Sequence, residues 1–485
     1  MDAFFVYKIL VLCIKIGRGT RLWTIVVPTL RFNIFKLNIA ATIHILMQTI
    51  ERLEARVATL ELENALLRNK KNSNNSHIPP SQDINRPKKN QSLRVPTDRK
   101  AGGQPGHEGT TLKCHATVDE TITHHPSRCG GCGGDLAGHP SQLAGSRQLI
   151  DIPAIALKCI EHQIYKKQCG CGQVTVGTFP LHVVNAVQYG PNVESLIAYL
   201  HARQYLPYAR TREFLNDVMG LDISTGGIHN ILQRIAQKAL PIYKAIKERI
   251  TMATCVGTDE TGVNINGKNH WAWTWQNDTL TYITCAASRG FQTIGATFEN
   301  GLPNAALVHD RWPCHFQMNA KAHQVCTAHL LRELNYINEL YKDKCIWAIS
   351  FKALLLDAIQ LKKELKTADY HYPNNKRAAL FKRLDQWLHY TVEECHKKSQ
   401  TLQKKLLAKR ECLLYFLLQS DVAPDNNGSE RAIRNIKVKQ KISGQFKTLE
   451  SANLFAILRS VIDTTIKNGN NVWNALRLIA IFGTE

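Results

Sequence analysis

No apolar run in this 485-residue chain reaches the roughly 20 residues a membrane span needs. The first 40 residues come nearest, but Lys8, Lys15, Arg18 and Arg21 break each run early. No spanning helix is expected there, and residues 1–42 are left as an unassigned extension. No secretory leader is expected either, so the 14 cysteines are read as belonging to a reducing cytoplasm with a metal site rather than to disulfides. Acids are scarce, 39 against 61 Lys and Arg, and the formal net charge of +22 favours a polyanionic partner, nucleic acid first. The length exceeds one ordinary core and predicts three or more units.

What is present divides the chain. Ile43, Leu46, Ile50, Leu53, Val57, Leu60, Asn64 and Leu67 alternate steps of three and four, a heptad seam. β-Branched residues at one seam position and Leu at the other favour a parallel pair of helices, and a lone Asn fixes register, so residues 43–68 are predicted to form a coiled-coil zipper that pairs two copies or more. An amphipathic helix packed on its own domain is the alternative. Residues 69–113 are a Pro-, Gly- and Asn-rich linker; from 68 to 113 there are ten Lys or Arg and three acids. Such a stretch either binds polyanions without sequence choice or is simply solvated.

Residues 114–182 suggest short strands around cysteines. Cys129-Gly-Gly-Cys132 and Cys169-Gly-Cys171 offer two thiolate pairs for a structural, tetrahedral Zn²⁺ site. Cys114, Cys159, His124 and His125 are substitutes or competitors, and reduced cysteines in a small fold are the plainer alternative. Residues 183–250 are expected to be helical. A helix near Tyr208 to Met219 ending at Gly220, followed by one capped by Ser224, has helix-turn-helix spacing, which serves DNA binding or helix packing alike.

From 251 the texture changes to three strands, Ala253 to Ile265, His270 to Gln276 and Thr279 to Ala286, then a helix near Arg289 to Glu299 and a short strand, Ala305 to Val308. Residues 321–420 look like a helical insertion, and a late helix begins near Ser429. Asp259 lies on the first strand, Asp310 just after the fourth and Glu430 at the start of the late helix, separated by 51 and 120 residues. That order is the layout of a ribonuclease-H-like catalytic core over 251–447, with 448–485 a C-terminal helical segment. The overall class is multidomain, mixing α+β and α/β: coiled coil, small zinc-binding domain, helical domain, then the core.

Carboxylates so placed can bring in a pair of hard divalent ions, which hold the attacking and leaving oxygens of a phosphodiester in line. Three ordinary acids among 39 are the rival explanation. Glu260 should leave the strand on the opposite face from Asp259. Arg431, Arg434, Lys437, Lys439 and Lys441 follow Glu430 with no acid before Glu450, a cationic helix suited to DNA phosphates.

At these residues the chain resembles the transposases of the insertion sequence sixty-six family. The resemblance rests on Asp425-Asn-Asn-Gly-Ser-Glu-Arg-Ala-Ile-Arg434, Lys441-Ile-Ser-Gly-Gln-Phe446 and Asp259-Glu-Thr261. Asn72 to Asp83, Gly103 to His107, the cysteine pairs and Cys326-Thr-Ala-His329 support it. It covers nearly everything after residue 43. It implies an Asp-Asp-Glu core with Asp259, Asp310 and Glu430 as catalytic metal ligands, Mg²⁺ (or Mn²⁺) as the working ion, element ends and target DNA as partners, and a bacterial cytoplasmic protein associated with the nucleoid. Trp312 and Phe316 stand where the family tends to show tyrosines. Cys326 and His329, two ligands only, are taken as packing or local hydrogen bonding. The rivals are a non-catalytic DNA-binding descendant and a structure-selective nuclease without a joining step.

Overall fold

Helix α1 (Ile39–Arg68) forms over the heptad stretch, in a compact unit that also takes in Glu393–Cys395. Its seam residues Leu46, Ile50, Leu53, Val57 and Leu60 stand between 42% and 57% exposed, so the stripe that would enter a zipper faces outward. The computed structural model describes residues 39–68, 71, 75–76, 106, 108–109, 111–153, 155–180 and 183–482. Almost all of the expected extension 1–42 and most of the linker 69–113 lie outside them.

The cysteine-bearing stretch has little regular structure: one antiparallel hairpin, β1 (Lys166–Gln168) with β2 (Val174–Val176), turns at Cys169 to Cys171. Next come α2 (Pro191–Ala198), α3 (Tyr208–Met219) and α4 (Thr225–Thr251). Gly220 closes α3 in the left-handed region (φ 65°), which glycine enters without a Cβ clash. Ser224 Oγ caps α4 by accepting from Gly227 N (3.0 Å). The two helices thus take the expected spacing, but α4 runs 27 residues and buries Ile228, Ile231, Leu232 and Ile235 in the common core.

The sheet follows: β3 (Cys255–Ile265), β4 (Lys268–Gln276), β5 (Thr281–Ala286), then α5 (Phe291–Thr297), β6 (Leu302–His309), α6 (Pro313–Phe316) and β7 (Ala320–Val325). Strand order is β5-β4-β3-β6-β7; β3, β4 and β5 form the antiparallel meander, and β3, β6 and β7 are parallel. The Asn266-Gly267 turn, both residues at positive φ, joins β3 to β4 as expected of that dipeptide. β7 corrects the expectation of a helical block from 321: the block opens with a short, half-covered strand. Its helices are α7 (Thr327–Leu340), α8 (Ile346–Glu364), α9 (Asn375–Leu388) and α10 (Lys397–Leu407).

The chain ends with α11 (Asn427–Ser443), α12 (Leu449–Lys467) and α13 (Val472–Phe482). Helix α12 is no appendage, because its side chains finish the sheet. Thr464 Oγ1, Ser460 Oγ and Asn453 Oδ1 accept from the amides of Thr281, Ile283 and Cys285 on β5 (3.1, 2.9 and 2.8 Å). The carbonyls at the same positions accept from Thr464, Tyr243 and Asn453. One hydrophobic core runs through α4, the sheet face bearing Trp273 and Trp275, and α12. The fold is therefore mixed α/β with a mixed sheet and many helices.

Candidate active site

β3 supplies the first acid at mid-strand, opposite Thr274 of β4. Two residues earlier on the same face lies Gly257. A Cβ there would sit 2.7 Å from Asn426 Oδ1, 2.7 Å from Gln276 Nε2 and 2.8 Å from Ser429 Oγ. The N-terminus of α11 is thus pressed onto β3, where only glycine leaves room. Asn426 Nδ2 donates to Thr258 O (2.7 Å), Ser429 Oγ donates to Asn426 Oδ1 (2.7 Å), and Asn426 N donates to Cys326 Sγ (3.2 Å). Thr327 ties the same turn by donating through N and Oγ1 to Pro424 O (2.9 and 2.8 Å). Asn426 and Ser429 in the Asp425-to-Glu430 stretch are thus fasteners that set Glu430 in the first turn of α11.

Asp310 follows β6 directly. Its Oδ1 accepts from Trp312 N (2.9 Å) and lies 3.8 Å from His315 Nε2. Arg311 adopts φ 76°, a left-handed conformation costly for a side chain of that size, and pairs with Glu333 of α7. Asp259 is held well above the usual carboxylate range, first by burial, then by the charges of Asp310, Glu260 and Glu430; the Glu260 amide, donating to Asp259 Oδ1 (3.0 Å), works against this. Two strands and a distant helix thus bring Asp310 and Glu430 within electrostatic reach of Asp259. Glu430 Oε1 is buried without a hydrogen-bond partner among the described residues, with His329 Nε2 at 3.6 Å and Arg332 Nη1 at 3.7 Å.

Glu260 leaves the strand on the other face. Arg289 donates to its Oε1 through Nε and Nη2 (2.9 and 2.7 Å), and His315 Nε2 lies 3.0 Å from Oε2. The Arg289 guanidinium lies over the Trp312 ring (3.7 Å) and near that of Trp271 (4.8 Å). Sequence reading missed this brace, and also the approach of His329 and Arg332 to Glu430. The latter had a signal, since residues three apart on a helix share a face.

Among the cations of α11, Arg431, Arg434 and Lys441 are exposed. Lys437 is half-buried and donates to Gly262 O. Lys439 is a correction: it is 3% exposed, donates to Leu206 O (3.1 Å) and Tyr205 O (3.4 Å), and burial pushes its ammonium down to about 7. Helical spacing from Ile433 and Ile436 puts Lys439 on the inward face, so it cannot meet DNA.

Each cysteine pair sits in a tight turn: Cys129 N donates to Gly134 O and Gly133 N to Cys129 O (both 2.9 Å), while Cys169 N donates to Gln173 O and Gly172 N to Cys169 O (both 2.8 Å). Backbone amides of Cys132 and Gly131 lower the Cys129 thiol, and the Cys171 amide and thiol lower that of Cys169. Among the described residues no three or more His, Cys, Asp or Glu side chains form a group that could hold a metal ion as it stands. No helix among them is long and apolar enough to cross a membrane.

The fold is a mixed five-stranded sheet packed with many helices, in which Asp310, Glu260 and Glu430 all act on the buried Asp259 carboxyl. Residues 186–454, more than half of the chain, match the family described as Transposase IS66 family, and the chain belongs to that family. It is a transposase of an insertion sequence, with DNA as the substrate that family membership implies. Residues 23–113 match a family of unknown function, which reaches into the segment expected to be an unassigned extension. No curated protein matches the chain.

Proposed function

We propose that the chain cuts the ends of its own element and joins the freed 3′ hydroxyl to target DNA, with Asp259, Asp310 and Glu430 as the catalytic acids of a ribonuclease-H-like, Asp-Asp-Glu core. The observation that carries this reading is the buried Asp259 carboxyl, held above the usual carboxylate range first by burial and then by the charges of Asp310, Glu260 and Glu430. Asp259 itself has no cationic partner among the described ion pairs, and burying a carboxyl beside other acids is costly unless a cation joins them. Glu430 Oε1, buried and without a hydrogen bond, has only the longer ion pairs to His329 and Arg332 and keeps room for a further cation. Hard oxygen donors fit Mg²⁺ or Mn²⁺, and such ions would supply charge stabilisation to the attacking and leaving oxygens.

The chain's own part is placement. Asn426, Ser429 and Gly257 set Glu430 beside β3; the Trp312 amide orients Asp310; exposed Arg431, Arg434 and Lys441 offer charge to the strand being cut. Strand transfer from a duplex bearing the element's end and an exposed 3′ hydroxyl is the direct test. It should occur with Mg²⁺ and stop in chelator. Cleavage without any joining would leave a nuclease, and binding alone would leave a DNA-binding descendant.

Two parts outside the core complete the reading. Cys129, Cys132, Cys169 and Cys171 would hold a structural Zn²⁺, whose donor chemistry the amide-lowered thiols suit. Elemental analysis should find one zinc per chain, lost when Cys129 and Cys132 become Ser; equal metal content in that variant would remove the site. The exposed seam of α1 pairs two or more copies. Leu53→Lys should shift the assembly to monomer in analytical ultracentrifugation, and an unchanged mass would assign assembly to another surface.

A further inference from the structure

The charge pattern of α10 is at odds with its own stability. Lys397 and Lys398 occupy the first turn, which contains no acid, and the N-cap residue His396 gives the helix amides no side-chain bond. Positive charge at the positive end of a helix is unfavourable unless an anion answers it. Tyr341 Oη meets that end from outside, accepting from Lys398 N (3.1 Å), and Cys345 Sγ lies 3.1 Å from Ser399 Oγ. Lys404 and Lys405 fill the last turn. All four lysines are exposed, as is Thr401 between them, while Ser399, Leu402 and Leu406 are buried. No acid occurs in the sequence between Glu394 and Glu411.

The strip continues toward the acids. Lys409 Nζ lies 4.5 Å from the centre of the Phe316 ring, and Phe316 packs edge-on against His309 (4.6 Å), the residue before Asp310. From Lys397 to Lys405 the helix rises about 12 Å, a length over which duplex DNA carries on the order of seven phosphates, ample for four lysines.

The chemistry of this face also says what kind of DNA it suits. Lysine is a point charge for phosphate and has no fork for base edges. The amides that could read bases are turned inward: Gln403 Nε2 donates to Trp387 O and Tyr390 O, and Gln400 Nε2 to Val392 O. Thr401 Oγ1 donates to Lys397 O. We propose that the outward face of α10 holds the target duplex by its phosphates, without sequence choice, and leads it toward Asp310. This rests on the strand-transfer reading above.

The test uses the full chain with Lys397, Lys398, Lys404 and Lys405 all changed to Gln, which keeps side-chain length and helix propensity. Binding of a short random-sequence duplex is measured across a salt series, and cleavage of a duplex bearing the element's end is measured alongside. The slope of log affinity against log salt should become shallower by about 3.6, since each of the four lost phosphate contacts removes about 0.9. Affinity near physiological salt should fall tenfold or more, with end cleavage within about twofold of wild type. An unchanged slope overturns the proposal. A loss of end cleavage equal to the loss of random-duplex binding overturns it too, by assigning the face to the element's own end. If the fourfold variant melts early, the pairs Lys397→Gln/Lys398→Gln and Lys404→Gln/Lys405→Gln should each give about half of the slope change; no change in either would sink the idea. Asp259→Asn, with the lysines intact, should bind the random duplex as wild type does, so failure of the catalytic reading stays separable from failure of this one.

Discussion

Replacing Asp259 with Asn is expected to slow end cleavage and strand transfer by about a thousandfold or more, at least about 4 kcal/mol on the barrier. DNA binding should stay near the wild-type level. The same change should raise the melting temperature, measured in chelator at neutral pH, by a few degrees. The sign follows from linkage: a carboxyl whose pKa is raised on folding takes stability away as pH climbs above its unfolded value, and an amide has no such cost. Chemistry and stability then move in opposite directions, as befits a residue kept for function at the expense of the fold. A variant both active and unchanged in melting would remove Asp259 from the site. Loss of activity with a lower melting temperature would make it a structural residue instead. Asp310→Asn and Glu430→Gln should match the loss of activity.

Gly257→Ala should be nearly as damaging although it touches no acid. The added methyl would overlap three polar atoms at 2.7 to 2.8 Å, and two of them, on Asn426 and Ser429, belong to the turn that begins α11. The three atoms are side-chain ends, and moving those of Asn426 and Ser429 aside breaks the hydrogen bonds that seat the start of α11 on β3. A displacement of about 1 Å at a catalytic group costs about a hundredfold in rate, and overpacking of this kind costs roughly 1–3 kcal/mol of stability. Gly295→Ala in α5, whose nearest neighbour would be the Phe291 ring at 3.9 Å, is the control and should be near neutral in both. Wild-type cleavage by Gly257→Ala would mean that the seating of α11 does not govern Glu430.

The meander, the acid-bearing strand ends and the start of α11 were legible in the sequence because each rests on a local signal: alternation, an Asn-Gly turn, a polar run before a helix. The three candidate acids stood out for the same reason, and the motif resemblance joined them. β7 was not legible. Ala320-Lys-Ala-His-Gln-Val325 has neither a β-branched run nor clean alternation, and it is a strand because β6 offers it a parallel partner. Lys439 was misplaced because charge was read without helical phase. The Glu260, His315 and Arg289 brace spans 55 residues, and nothing in its spacing along the chain announces a contact made only by the sheet and α6.

The way α12 finishes β5 bears on how copies of the transposase can meet. Each outward amide and carbonyl at Thr281, Ile283 and Cys285 is already engaged. A neighbouring molecule therefore finds no open ladder there to extend, and runaway stacking of sheets is closed off on that side. The pairing proposed for α1 gains from this: self-association is left to surfaces that can be counted, and the sheet stays a private affair of one polypeptide.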